Sequence, residues 1–188
     1  MELFDLYTAD RVKTGRTMVR GEPTPEGYYR LVVHVCIFNP EGQMLIQQRQ
    51  PFKQGWSNLW DITVGGSAIS GDSSRSAAER ETLEELGLSI HLTDVRPTIT
   101  IYWEHGFDDY YILTQEVDLD SLHLQYEEVQ AVRWATLEEI LKMIDDGQFI
   151  PYEKSLIELL FFRRNHRSSH TRSDHVLPPY KPTSSQSS

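Results

Sequence analysis

Gly65-Gly66-Ser67-Ala68-Ile69-Ser70-Gly71-Asp72 leads, through residues 73–79, into Arg80-Glu81-Thr82-Leu83-Glu84-Glu85-Leu86-Gly87-Leu88. The second half predicts a helix from Ser73 or Ser74 to about Leu86. Asp72, Ser73 and Ser74 are each competent N-caps, and Gly87 stands where a left-handed residue closes a helix. Glu81, Glu84 and Glu85 are spaced i, i+3 and i+4, so their carboxylates share one sector of that helix. Arg80 can pair with Glu84, but Glu81 and Glu85 repel each other with no base beside them. A hard divalent cation relieves that repulsion, because Mg²⁺ accepts carboxylate oxygens and keeps other positions for water and phosphate. The glycine pair ahead of the helix lets backbone approach a ligand closely.

On either side of this segment the pattern alternates strands and helices. Leu3 to Tyr7 and Thr17 to Arg20 read as a hairpin around Gly15, followed by a loop over 21–27. Leu31 to Phe38 is a β-branched, apolar central strand; Asn39-Pro40-Glu41-Gly42 turns the chain and Met44 to Gln48 returns it. Trp60 to Val64 is a further strand ending at the glycine pair. Later strands are expected over Ile90–Val95, Thr98–Trp103, Tyr110–Val117 and Val129–Trp134. Leu137 to Asp145 is a second helix, entered through Thr136 with Glu139 three residues on, a capping box. Pro151 opens a third, running to about Arg164. The remainder is polar, aperiodic and expected to be disordered.

Bulk properties narrow the function. The formal charge is −10, divided unevenly: from Arg163 onward there are five bases and one acid, leaving 13 bases and 27 acids in residues 1–162. So acidic a body is a poor nucleic-acid platform, and it repels polyphosphate unless bound cations reverse the local sign. The longest apolar run is too short to span a bilayer, and the first residues lack the basic and apolar regions of a secretory signal. One cysteine, Cys36, excludes an intramolecular disulfide and fits a reducing cytoplasm.

The run Arg-Glu-x-x-Glu-Glu-x-Gly arises by chance in on the order of one in ten thousand chains of this length. It resembles the Nudix box: glycine, five residues, glutamate, seven residues, then Arg-Glu-aliphatic-x-Glu-Glu-x-Gly-aliphatic. Gly66, Arg80, Glu81, Glu84, Glu85, Gly87 and Leu88 fall in register, while Asp72 replaces the first glutamate and Thr82 the first aliphatic residue. The resemblance implies an α+β fold, a Nudix-type α/β/α sandwich with a mixed central sheet. Here it would occupy 1–162, with 1–27 as an N-terminal hairpin extension and 163–188 as a basic tail.

The resemblance further implies Mg²⁺ or Mn²⁺ on Glu81, Glu84 and Glu85, with the Gly66 carbonyl as an additional ligand and Arg80 orienting the glutamates. A metal there neutralises a diphosphate and lowers the pKa of a water for attack. The general base is either Glu81 or Glu128, which precedes a later strand; Glu128 could also be an extra ligand. Arg49 could meet phosphate, and Trp103 and Phe107, at a strand end, could stack on a base. The implied reaction is hydrolysis of a nucleoside diphosphate derivative, a small molecule, and the resemblance admits a homodimer. The hairpin and Gly55-Trp56-Ser57-Asn58-Leu59-Trp60-Asp61 are also similar to the isopentenyl-diphosphate isomerase branch, which uses a cysteine just before the box. Thr63-Val64 occupies that place here. A Nudix-like module that binds ligand with little turnover is the remaining alternative.

Overall fold

The computed structural model describes residues 2–166 and 168. Nine strands and three helices follow in the order β1 (Leu3–Tyr7), β2 (Lys13–Val19), β3 (Arg30–Phe38), β4 (Met44–Arg49), β5 (Trp60–Asp61), β6 (Val64–Ser67), α1 (Ser74–Leu86), β7 (Ile99–Trp103), β8 (Gly106–Thr114), β9 (Val129–Ala135), α2 (Leu137–Asp145) and α3 (Lys154–Arg163). β1 and β2 pair by themselves; the other seven form one mixed sheet. β3 lies at its centre, parallel to β8 and antiparallel to β6 and β4.

The period-2 pattern of β3 sorts its side chains between two cores. Val33, Val35 and Ile37 pack with Ala77, Ala78 and Leu86 of α1, whereas Cys36 and Phe38 pack with Ile140, Met143, Ile157 and Leu160 of α2 and α3. Each buried Val, Leu, Ile, Phe or Met among them contributes roughly 1.5–3 kcal/mol by leaving water. The result is the expected α/β/α sandwich around a mixed sheet. No described helix is long and apolar enough to cross a membrane.

α2 has the expected bounds, and Thr136 and Glu139 close its capping box. Elsewhere tertiary contacts redraw the expected elements. The Trp60–Val64 strand is split into β5 and β6 because the Thr63 hydroxyl takes over two ladder positions, accepting from Ile37 N at 2.9 Å and donating to Leu45 O. This is the point at which β3 changes neighbours. Ile90–Val95 forms no strand. Ile90 and Leu92 are buried like alternate strand residues, but the Leu92 N–H donates to the Glu79 carboxylate at 2.6 Å instead of to another strand. β8 begins at Gly106, ahead of Tyr110, and α3 begins at Lys154, beyond Pro151.

The hairpin turns over residues 8–12, with Tyr7 opposite Lys13, so Gly15 lies within β2 and not at the turn. Arg11 adopts a left-handed φ of 62°, and its guanidinium reaches Asp109 of β8 and Thr100 of β7. That long-range anchor sets the turn. Of the tail expected to be disordered, residue 167 and those beyond 168 lie outside the described residues.

Candidate functional site

Ser73 is the N-cap of α1: its side chain accepts from Ser76 N, and the Ser76 hydroxyl accepts from Ser73 N. Gly87 ends the helix at φ 64°, donating to Leu83 O. Between these caps Glu81, Glu84 and Glu85 occupy different environments. Glu85 is only 5% exposed and takes one hydrogen bond from the Gln47 side-chain amide of β4 at 2.8 Å. Burial, reinforced by the charges of Glu81, Glu128 and Asp61, pushes its carboxyl up to about 8. Burial also raises the carboxyl of Glu81, against the pull of Arg80. Glu81 lies so close to Gly66 that a Cβ there would collide with its carboxyl group. Glu84 stands at the surface.

Arg80 ties this end of the helix to the loop before it. It donates to Asp72 at 2.9 Å and 3.2 Å, to the Ser67 carbonyl at 3.2 Å, to Glu81 at 2.9 Å and to Glu84 at 3.0 Å. Asp72 also accepts from Ile69 N. Its shorter arm thus holds the loop and the arginine. Among the described residues no three acidic, histidine or cysteine side chains are gathered into a closed ligand set. The carboxylates of Glu81 and Glu84 both face Arg80.

Three buried polar atoms lack partners among the described residues: Oε1 of Gln47, which bonds Glu85 through its amide nitrogen, Nε of Arg49, and Nδ1 of His34, which lies against Gly65. Gln47 is 2% exposed. Arg49 Nη1 is 4.0 Å from Asp61, whose carboxyl is raised by burial and accepts from the Tyr152 hydroxyl at 2.9 Å. Glu128, in the loop before β9, is ion-paired with Lys53. Beside Gly65, Gly66 and Ser67 opens a cavity of about 470 Å³ walled by Arg20, His34 and Trp56. His34 stacks on Tyr110 with ring centroids 4.4 Å apart.

Packing corrects one expected substrate contact and places the other away from this cavity. Phe107 is 1% exposed and packs in the core beneath Arg11, so it cannot stack on a ligand. Trp103 lies outside this cavity; its indole donates to Asp108 at 2.9 Å and its ring lies under Arg30. Strand-end aromatics here serve the core and the rim. Gln47, Asp61, His34, Trp56 and Arg20 escaped sequence reasoning. Asp61 carried a signal, since it is a polar residue bounded by the apolar Trp60 and Ile62; Gln47, followed by Gln48, and Arg20 carried none.

Residues 28–155 match the NUDIX domain. An uncharacterized Nudix hydrolase of Listeria innocua is 49% identical over 152 residues, spanning 81% of this chain and 90% of that protein. An isopentenyl-diphosphate Delta-isomerase of Escherichia coli is 27% identical over 147 residues, covering 74% of this chain and 80% of the isomerase. The crystal structure of DR0079 from Deinococcus radiodurans superposes with a TM-score of 0.66 at 26% identity, over 85% of this chain and 97% of the other.

Proposed function

We propose, from the premise that this chain belongs to the NUDIX family, that it hydrolyses the diphosphate linkage of a nucleoside diphosphate derivative at the Glu81–Glu85 end of α1. The observation that supports this most is the placement of the buried Glu85 carboxylate one turn from a half-buried Glu81 carboxylate, which lies against side-chain-free backbone at Gly66, a residue that lines an open cavity. Glu81, Glu84, Glu85 and the Gly66 carbonyl would hold Mg²⁺ or Mn²⁺. The donor set fits: all are hard oxygens, and the unpartnered Gln47 Oε1 gives the site an unused acceptor. A divalent cation supplies neutralisation of the phosphate charge and Lewis acidity toward its oxygens.

The chain's own residues do the rest. Arg80 holds Glu81 and Glu84 in place through its hydrogen bonds to both. Gln47 fixes the orientation of Glu85. Glu128, aimed by its ion pair with Lys53, serves as the general base or an added ligand. Arg49, with a free Nε, remains a phosphate contact in this reading. An isomerase needs a protonating thiol, and Cys36 is fully buried with its thiol pushed up by burial, far from reactive. The lone buried thiol also fits a reducing cytoplasm.

A panel of nucleoside diphosphate derivatives with Mg²⁺ or Mn²⁺, scored by released phosphate, tests the assignment. Glu84→Gln and Glu85→Gln should each lower kcat by orders of magnitude, on the scale of about 10²-fold or more, with an unchanged circular dichroism spectrum. Wild-type turnover in both would refute the ligand set. An isomerase would conserve the diphosphate, and a pure binding module would bind it and release nothing.

A further inference from the structure

The N-terminal hairpin lies outside the residues that match the family domain, yet it reaches the cavity. β2 ends at Val19, and the next residue, Arg20, lines the space beside Gly65–Ser67. Of the described residues lining that cavity, Arg20 alone is permanently cationic. Its placement is held twice by Glu2: Arg20 N donates to Glu2 O at 3.0 Å, and Arg20 Nη1 to Glu2 Oε2 at 2.6 Å. An exposed pair of this kind adds little to stability. It does hold the guanidinium at one place, and the bond uses Nη1, leaving Nε and Nη2 as donors for a bidentate grip on phosphate. The charges of Glu81 and Glu128 act on Arg20, which puts the guanidinium within electrostatic reach of the proposed catalytic carboxylates.

We propose that Arg20 binds a phosphate of the substrate, so that the hairpin extension is part of the active site and selects compounds with two adjacent phosphates. This rests on the hydrolase reading above: one phosphate belongs to the glutamate end of α1, and its neighbour to Arg20. Trp56, 53% exposed at a left-handed φ of 51°, walls the same cavity and is the surface available to the group carried beyond the diphosphate.

Calorimetric titration of the full chain in Mg²⁺ with methylenediphosphonate, a diphosphate that cannot be hydrolysed, tests the contact. Arg20→Gln should raise Kd by roughly tenfold or more, and Arg20→Lys should restore part of the loss. With whichever panel compound turns over, Arg20→Gln should raise KM while kcat stays within a few-fold. Equal Kd in wild type and Arg20→Gln, or no binding by wild type, would overturn the proposal. So would a matching loss in Glu2→Gln, because Arg20 would then act through the hairpin and not on the ligand. The hydrolase reading fails separately, if Glu85→Gln leaves turnover untouched while Arg20→Gln still weakens diphosphonate binding.

Discussion

Helix α1 carries a buried acid network at each end, and the two are built oppositely. At its start, Asp109 of β8 is 0% exposed and receives three donors: Arg11 Nη2, Ser74 Oγ and Thr100 Oγ1, each at 2.6 Å. Ser74 continues the network to the Tyr111 hydroxyl at 2.8 Å. Eleven residues on from Ser74, about 16.5 Å at 1.5 Å per residue, Glu85 is nearly as buried but has one side-chain donor, Gln47. That donor's own Oε1 is orphaned, and the nearby charges that act on Glu85 are acidic. A satisfied network holds a fold together; an unsatisfied one of like charges costs stability until something else binds. The first cluster clips the N-terminal hairpin to the sheet. The second has the character of a site.

Asp109→Ala would give the largest effect on stability. It strands Arg11, Ser74 and Thr100 in a part-buried setting, so unfolding free energy should fall by about 3–5 kcal/mol in a denaturant titration. Turnover per folded molecule should stay within a few-fold of wild type. Loss of turnover without loss of stability would break the contrast between the two ends.

Gln47→Leu sharpens the other side. Removing the sole donor to Glu85 should cost about 1–3 kcal/mol, less than Asp109→Ala. It should also weaken Mn²⁺ binding, measured by calorimetry, by roughly tenfold, as loss of an orienting partner does. Unchanged Mn²⁺ affinity would show that Gln47 orients nothing.

The smallest effect is one of pH, in metal-free protein. Folded Glu85 keeps its proton up to about 8, whereas the unfolded chain loses it near 4.5. Between those values the folded state binds more protons, so its stability falls as pH rises. Lowering the pH from 7 to 6 in EDTA should stabilise wild type by up to about 1.4 kcal/mol relative to Glu85→Gln. Parallel pH profiles of the two proteins would show that the Glu85 carboxyl is not held protonated.

Much of α1 and α2 was legible before any coordinates, because caps, helical spacing and the acidic triplet act over a few residues. Strand positions were legible where one residue type dominated, as in β3. Phe107 misled because an aromatic beside a strand end reads the same whether it faces a ligand or the core, and only packing decides. Ile90 and Leu92 misled because burial alternates as in a strand while the backbone hydrogen bond goes to Glu79.

By itself, then, the order of residues determined the box helix, its caps, the clustering of Glu81, Glu84 and Glu85 and the two-faced central strand. Each follows from local geometry with a period of 3.6 or 2. Tertiary structure alone decided that Glu85 is buried under Gln47 and that Thr63 splits a strand. It alone tied Arg11 to Asp109 and set Arg20 at the cavity beside Gly66. These contacts join residues tens of positions apart, and chain-local propensity carries no information about which distant groups meet.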